Sequence, residues 1–164
     1  MITNMCILAA NYIVERTNKF NEGKNYSDRI SLTCKRLQKL LYFSDIEYMK
    51  KYGGESMFSD EFHAWPSGPV IPSVYDEFVQ YQNGEMVPVN EEGHTPITDE
   101  MREILDNIFD QTIEIDTYDL VDMSHAKGGP WYKAYDDSDE HHEQVISKDE
   151  MLAFYKGRNI FERV

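Results

Sequence analysis

Residues 32–52 read LTCKRLQKLLYFSDIEYMKKY, and this stretch decides the fold class. Leu37, Leu40, Leu41, Ser44 and Tyr48 recur at helical spacing as one stripe, flanked by Tyr42, Phe43, Ile46 and Met49. A helix apolar over so wide an arc belongs at the centre of a fold. Ser31 is the expected N-cap. Gly53-Gly54 ends the helix, with Lys50 and Lys51 in the last turn, where cations suit the helix dipole.

Working outward, Met5, Leu8, Ala9, Tyr12 and Ile13 make residues 4–18 an amphipathic helix, and Asn18 to Arg29 is a polar loop. A third helix is expected from Ser73, carrying Val74, Tyr75, Phe78 and Val79, with a stop near Asn83-Gly84. Thr98 caps a helix through Phe109, Thr117 a short one through Ser124, and Pro130 opens another through Tyr135. Ser147 with Glu150 forms a capping box before Met151, Leu152, Phe154 and Tyr155. Two small strands are predicted at Glu61–Ala64 and Met86–Val89, the second confined to an edge by Pro88. The expectation is a mainly α, compact helical bundle spanning residues 1–164 as one domain, with about seven helices and at most a small two-stranded β element.

The 164 residues hold 16 Lys+Arg against 30 Asp+Glu, a formal charge of −14. This balance argues against direct nucleic-acid binding or attachment to an anionic membrane, both of which depend on Lys and Arg. The imbalance is regional: residues 90–150 carry 4 basic and 18 acidic side chains, whereas residues 1–89 carry 9 and 11. Such acidity either keeps helix faces and loops solvated or presents a surface to a basic partner. With 41% hydrophobic and 13% aromatic residues the chain can build a core without a metal or disulfide staple. Cys6 and Cys34 fall in helical apolar patterns and read as reduced, packed thiols. No leader or membrane-length apolar run is visible, which places the protein in the cytoplasm.

Motifs for catalysis are not found. There is no nucleophile elbow, phosphate-cradling loop or dinucleotide fingerprint. His63, His94, His125, His141 and His142 lie at no zinc-ligand spacing, and neither cysteine sits in a Cys-x-x-Cys pair. The carboxylates Asp136, Asp137, Asp139 and Glu140 occupy a hydrophilic loop rather than an apolar pocket. No catalytic residue, cofactor or metal is therefore expected.

Three segments are more specified than a plain bundle requires. Residues 36–43 set Arg36, Gln38, Lys39 and Tyr42 around an apolar face. Residues 64–75 hold three prolines and Gly68, which impose a nearly fixed path and let Trp65 and Tyr75 pack across a turn. Residues 124–135 place His125, able to bond a neighbouring backbone group, ahead of Pro130 and Trp131, which anchor a short helix.

In this order the three segments resemble the Panacea domain, a bacterial and phage-associated family. The correspondence runs through Arg36–Tyr42, Ala64–Val70 with Val74-Tyr75, and Ser124-His125 with Pro130-Trp131, and covers roughly residues 5–156. Arg36 stands where the family pattern has lysine, and Pro66-Ser67 precede the Gly-Pro-Val turn. The resemblance implies a mainly helical antitoxin without a cofactor, neutralising a protein toxin encoded by an adjacent gene by direct binding. At least one relative serves as an adaptor that delivers its toxin to a protease. Gln38, Lys39, Tyr42, Trp65, Gly68, Pro69, Val70, Tyr75, His125, Pro130 and Trp131 are the expected motif surface, either touching the partner or holding the fold. The alternative is an acidic phage or mobile-element inhibitor, a DNA mimic acting on a host nucleic-acid enzyme.

Overall fold

The computed structural model describes residues 4–81, 85–89 and 97–162. Among these are seven helices: α1 (Met5–Asn21), α2 (Cys34–Lys51), α3 (Pro72–Phe78), α4 (Asp99–Thr112), α5 (Thr117–Ser124), α6 (Pro130–Ala134) and α7 (Lys148–Tyr155). Strands β1 (Phe62–Trp65), β2 (Gly68–Val70) and β3 (Val145–Ile146) form one antiparallel sheet in the order β2-β1-β3. The molecule is mainly α, as its periodicity predicts. No helix among the described residues is long and apolar enough to cross a membrane.

The broad apolar arc of residues 32–52 becomes α2, which packs against α1, α3, α4, α5, α7 and β2. Leu37, Leu41, Tyr42, Phe43 and Ile46 have no exposed surface. The helix starts two residues later than Ser31 predicts. Leu32 is buried in the core as part of an extended lead-in, so the cap falls to Thr33, whose hydroxyl accepts from the Arg36 N–H at 3.2 Å.

The sheet differs from the expectation in membership. Met86–Val89 forms no strand, and side chains of α1 take three of its backbone groups. Asn11 donates to the Val89 carbonyl and accepts from its N–H, each at 2.7 Å, and Asn18 donates to the Met86 carbonyl at 3.2 Å. The hairpin partner of β1 lies instead in the proline-rich turn, with Trp65 opposite Gly68, Ala64 opposite Pro69 and His63 opposite Val70. Pro69 is tolerated because β2 is an edge strand. On the other side of β1, Phe62 pairs with Ile146 and His63 with Val145.

Other boundaries move for local reasons. α1 continues to Asn21, whose carboxamide pairs with both backbone groups of Ile30 at 2.8 and 2.9 Å. α4 continues past Phe109 to Thr112. Asp116 rather than Thr117 caps α5, accepting from the Tyr118 N–H at 2.8 Å, while the Thr117 hydroxyl accepts from Arg36 at 3.2 Å. Thr98 and Ser147 cap α4 and α7 as predicted. The Glu150 carboxylate of the expected capping box pairs with Lys133 at 3.1 Å. α3 ends at Phe78, and the predicted Asn83-Gly84 stop lies outside the described residues.

Candidate functional site

The three sequence motifs converge on one side of α2. Gln38 reaches the hairpin exit, where its side-chain carbonyl accepts from the Ile71 N–H at 2.8 Å and its amide donates to the Ile71 carbonyl at 3.2 Å. One carboxamide thus completes both backbone groups of a buried residue, as Asn11 and Asn21 do for Val89 and Ile30. Lys39, one residue on, donates from Nζ to the Pro69 carbonyl at 3.2 Å. Gly68 has φ +113°, and a Cβ there would meet Lys39 Cε at 2.5 Å and Ser124 Oγ at 2.7 Å. Glycine is needed both for the backbone angle and for the close approach.

Around this junction runs a column of near-parallel rings. His125 stacks on Trp131 with centroids 3.6 Å apart, Trp131 on Tyr135 at 4.6 Å, and Tyr135 on His142 at 6.1 Å. Trp131 Nε1 donates to the Trp65 carbonyl at 2.8 Å, tying α6 to the hairpin. Trp65 packs edge-on against Tyr75 at 4.9 Å, as the turn geometry predicts. His125 Nε2 is buried without a hydrogen-bond partner among the described residues, so stacking holds this ring where a backbone bond was expected.

Electrostatics follow from burial. Desolvation brings the Lys39 amine down to about 7, and burial followed by repulsion from Lys39 lowers His125. Burial, and then the neighbouring Tyr155 phenol, raise Tyr42. Neither of these two hydroxyls makes a hydrogen bond of good geometry among the described residues. Ser124 and His125 are adjacent in sequence, yet the serine hydroxyl donates to the Val121 carbonyl at 2.7 Å and does not form a nucleophile–base pair.

Of the predicted motif surface, Gln38, Lys39, Tyr42, Gly68, Pro69, Val70, Pro130 and Trp131 are buried. Trp65, Tyr75 and His125 are half-buried. Arg36, which the sequence sets beside the apolar face of α2, is buried as well, and Asp45 with its partly buried partner Lys148 joins the interior without having been singled out by pattern. Arg36 donates to the carbonyls of Thr112 at 2.6 Å and Ile115 at 2.8 Å, capping the C-terminal end of α4 with a cation. Asp45, fully buried, accepts from the Met57 N–H at 2.8 Å, from Ser56, and from Lys148 Nζ at 2.6 Å. A carboxylate inside the apolar arc of α2 was a readable signal; its partner, 103 positions away, was not.

The exterior of the acid-rich region divides in two. On α4, Asp106 and Asp110 pair with Arg16, Glu103 with Lys51 and Asp99 with Arg102. Glu114, Asp122, Asp136, Asp137, Glu140 and Glu143 are exposed and make no ion pair with another described residue. Tyr118 stands 73% exposed on α5 beside them in sequence.

With this arrangement in view, the chain belongs to the family described as antitoxin SocA-like, Panacea domain, which it matches over residues 37–132. That span contains the three motif segments from Leu37 to Trp131, with Arg36 one residue outside it. No curated protein and no solved structure matches the chain. Membership supports an antitoxin role and, in general terms, a protein partner.

Proposed function

We propose that this protein is a cytoplasmic antitoxin that neutralises a toxin encoded by an adjacent gene by binding it directly, without catalysis. The observation that carries the contact assignment is the split between interior and exterior. Eight of the eleven motif residues are buried, several of them bonded to the protein's own backbone or packed against its rings, while Asp122, Asp136, Asp137, Glu140 and Glu143 are exposed and make no ion pair with another described residue. A basic toxin is the partner this surface complements. Charge accelerates its association, and the half-buried aromatics Trp65 and Tyr75 supply apolar contact area.

The test is to express the neighbouring gene with and without this protein. Toxicity of the neighbour alone, and rescue by co-expression, are expected. A neighbour harmless on its own overturns the assignment. Delivery of the toxin to a protease, the adaptor role, is distinguished by toxin abundance: it falls on co-expression if the complex is degraded and holds steady if the toxin is merely occluded.

A further inference from the structure

Lys39 is an unusual lysine on geometry alone. Its side chain has no exposed surface and lies under the β1–β2 hairpin. An ammonium carries three donors, yet the described acceptor is one carbonyl, that of Pro69 at 3.2 Å. It makes no ion pair with another described residue. The space beside it is filled, since a single added carbon at Gly68 would come within 2.5 Å of Lys39 Cε and 2.7 Å of Ser124 Oγ. Two other cations that reach the interior are served differently: buried Arg36 meets three oxygens, and partly buried Lys148 meets the Asp45 carboxylate.

Among the described residues, the groups around Lys39 offer it no compensating charge. From α2, Lys35 repels a charged amine, and Cys34 helps only as a thiolate, which its own burial disfavours. From α5, His125 adds repulsion when protonated, and Asp122 is the carboxylate that acts on that histidine. From β2, the Pro69 carbonyl accepts from the amine and Gly68 lies against its stem, neither bringing a charge. Burying an unpaired ion is far costlier than burying a neutral amine.

We infer that seating the β1–β2 hairpin on α2 expels a proton from Lys39, so that the motif junction is a proton-linked latch. The latch tightens as pH rises and loosens as pH falls. Its sign follows from the two end states. The unfolded amine holds its proton up to the ordinary lysine value of 10.5, whereas the folded amine releases it near 7. Between those limits the unfolded chain binds more protons, so stability rises with pH. Cys6 and Cys34 act oppositely above about pH 9, because burial raises both thiols and only the unfolded chain ionises there. The diagnostic window is therefore about pH 7–8.5.

The experiment is urea unfolding of the full chain across that window, for the protein and for Lys39→Met, together with an NMR titration of the Lys39 ε-methylene in the intact protein. The folding equilibrium constant is expected to rise by up to about tenfold per pH unit in the protein and to stay flat in Lys39→Met. The ε-methylene is expected to titrate with a midpoint near 7. A midpoint above 10, or an equal slope in the variant, overturns the inference. Should Lys39→Met fail to fold, the titration of the unaltered protein decides alone.

Discussion

The interior around α2 and the exterior of α4, α5 and the 136–143 loop use the same charged residue types to opposite ends. Inside, Arg36, Asp45 and Lys148 each answer a particular group, and Lys39 answers a single carbonyl. Outside, the carboxylates are numerous, solvated and mutually replaceable. A buried charge is costly unless each of its hydrogen-bonding positions is met, so interior positions admit one residue and one geometry. An exposed charge costs little to hold and contributes little to stability, so it is free to serve association. Most described carboxylates of the acid-rich region thus lie on the exterior, whereas eight of the eleven motif residues belong to the interior.

Substitutions can break this contrast, most severely inside. Asp45→Ala leaves Lys148 reaching into an interior without its carboxylate and strips the Met57 N–H of its acceptor. A loss of about 3–5 kcal/mol is expected, read as a fall in the urea midpoint. Gly68→Ala forces a side chain into φ +113° and into contact with Lys39 and Ser124. That costs about 2–4 kcal/mol and, in native-state hydrogen exchange, exposes the Ile71 amide.

Gln38→Leu keeps the volume but orphans both backbone groups of Ile71, for about 1–3 kcal/mol in the same unfolding assay. At the small end, Asp122→Asn combined with Glu140→Gln changes stability by no more than about 0.5 kcal/mol per site. The same pair slows association with a basic partner several-fold at low salt, a difference that fades at high salt. Comparable destabilisation from the exterior pair and from Gln38→Leu would erase the distinction between the two regions.

Much of the fold was legible because it is written in local periodicity and local caps. The arc of α2, Thr98 and Ser147 as N-caps, and Pro130 at the start of α6 depend on residues within a turn or two of each other. The errors share a cause. Met86–Val89 has the composition of a strand, but the amides of Asn11 and Asn18 took the hydrogen bonds a neighbouring strand would have supplied. Gly68-Pro69-Val70 has the composition of a loop, yet Gln38 and Lys39 hold its far side, which lets β1 pair with it. In both cases the deciding partner lies on a distant helix.

The site was half legible for the same reason. Order and identity of the three motifs were evident, as was the packing of Trp65 against Tyr75 across a short turn. Their burial was not, because amphipathic arcs do not reveal which polar positions will be covered by another segment. By itself the sequence determined the helical class, the positions of most helices, the acidic exterior and the family motifs, since these depend on composition and near-neighbour spacing. Tertiary structure alone decided that Lys39 lies without a counter-charge among the described residues, that Asp45 meets Lys148, that Arg36 caps α4, and that most of the motif residues face inward. Desolvation acts on surfaces that meet only when the chain has folded, and no local pattern encodes which surfaces those are.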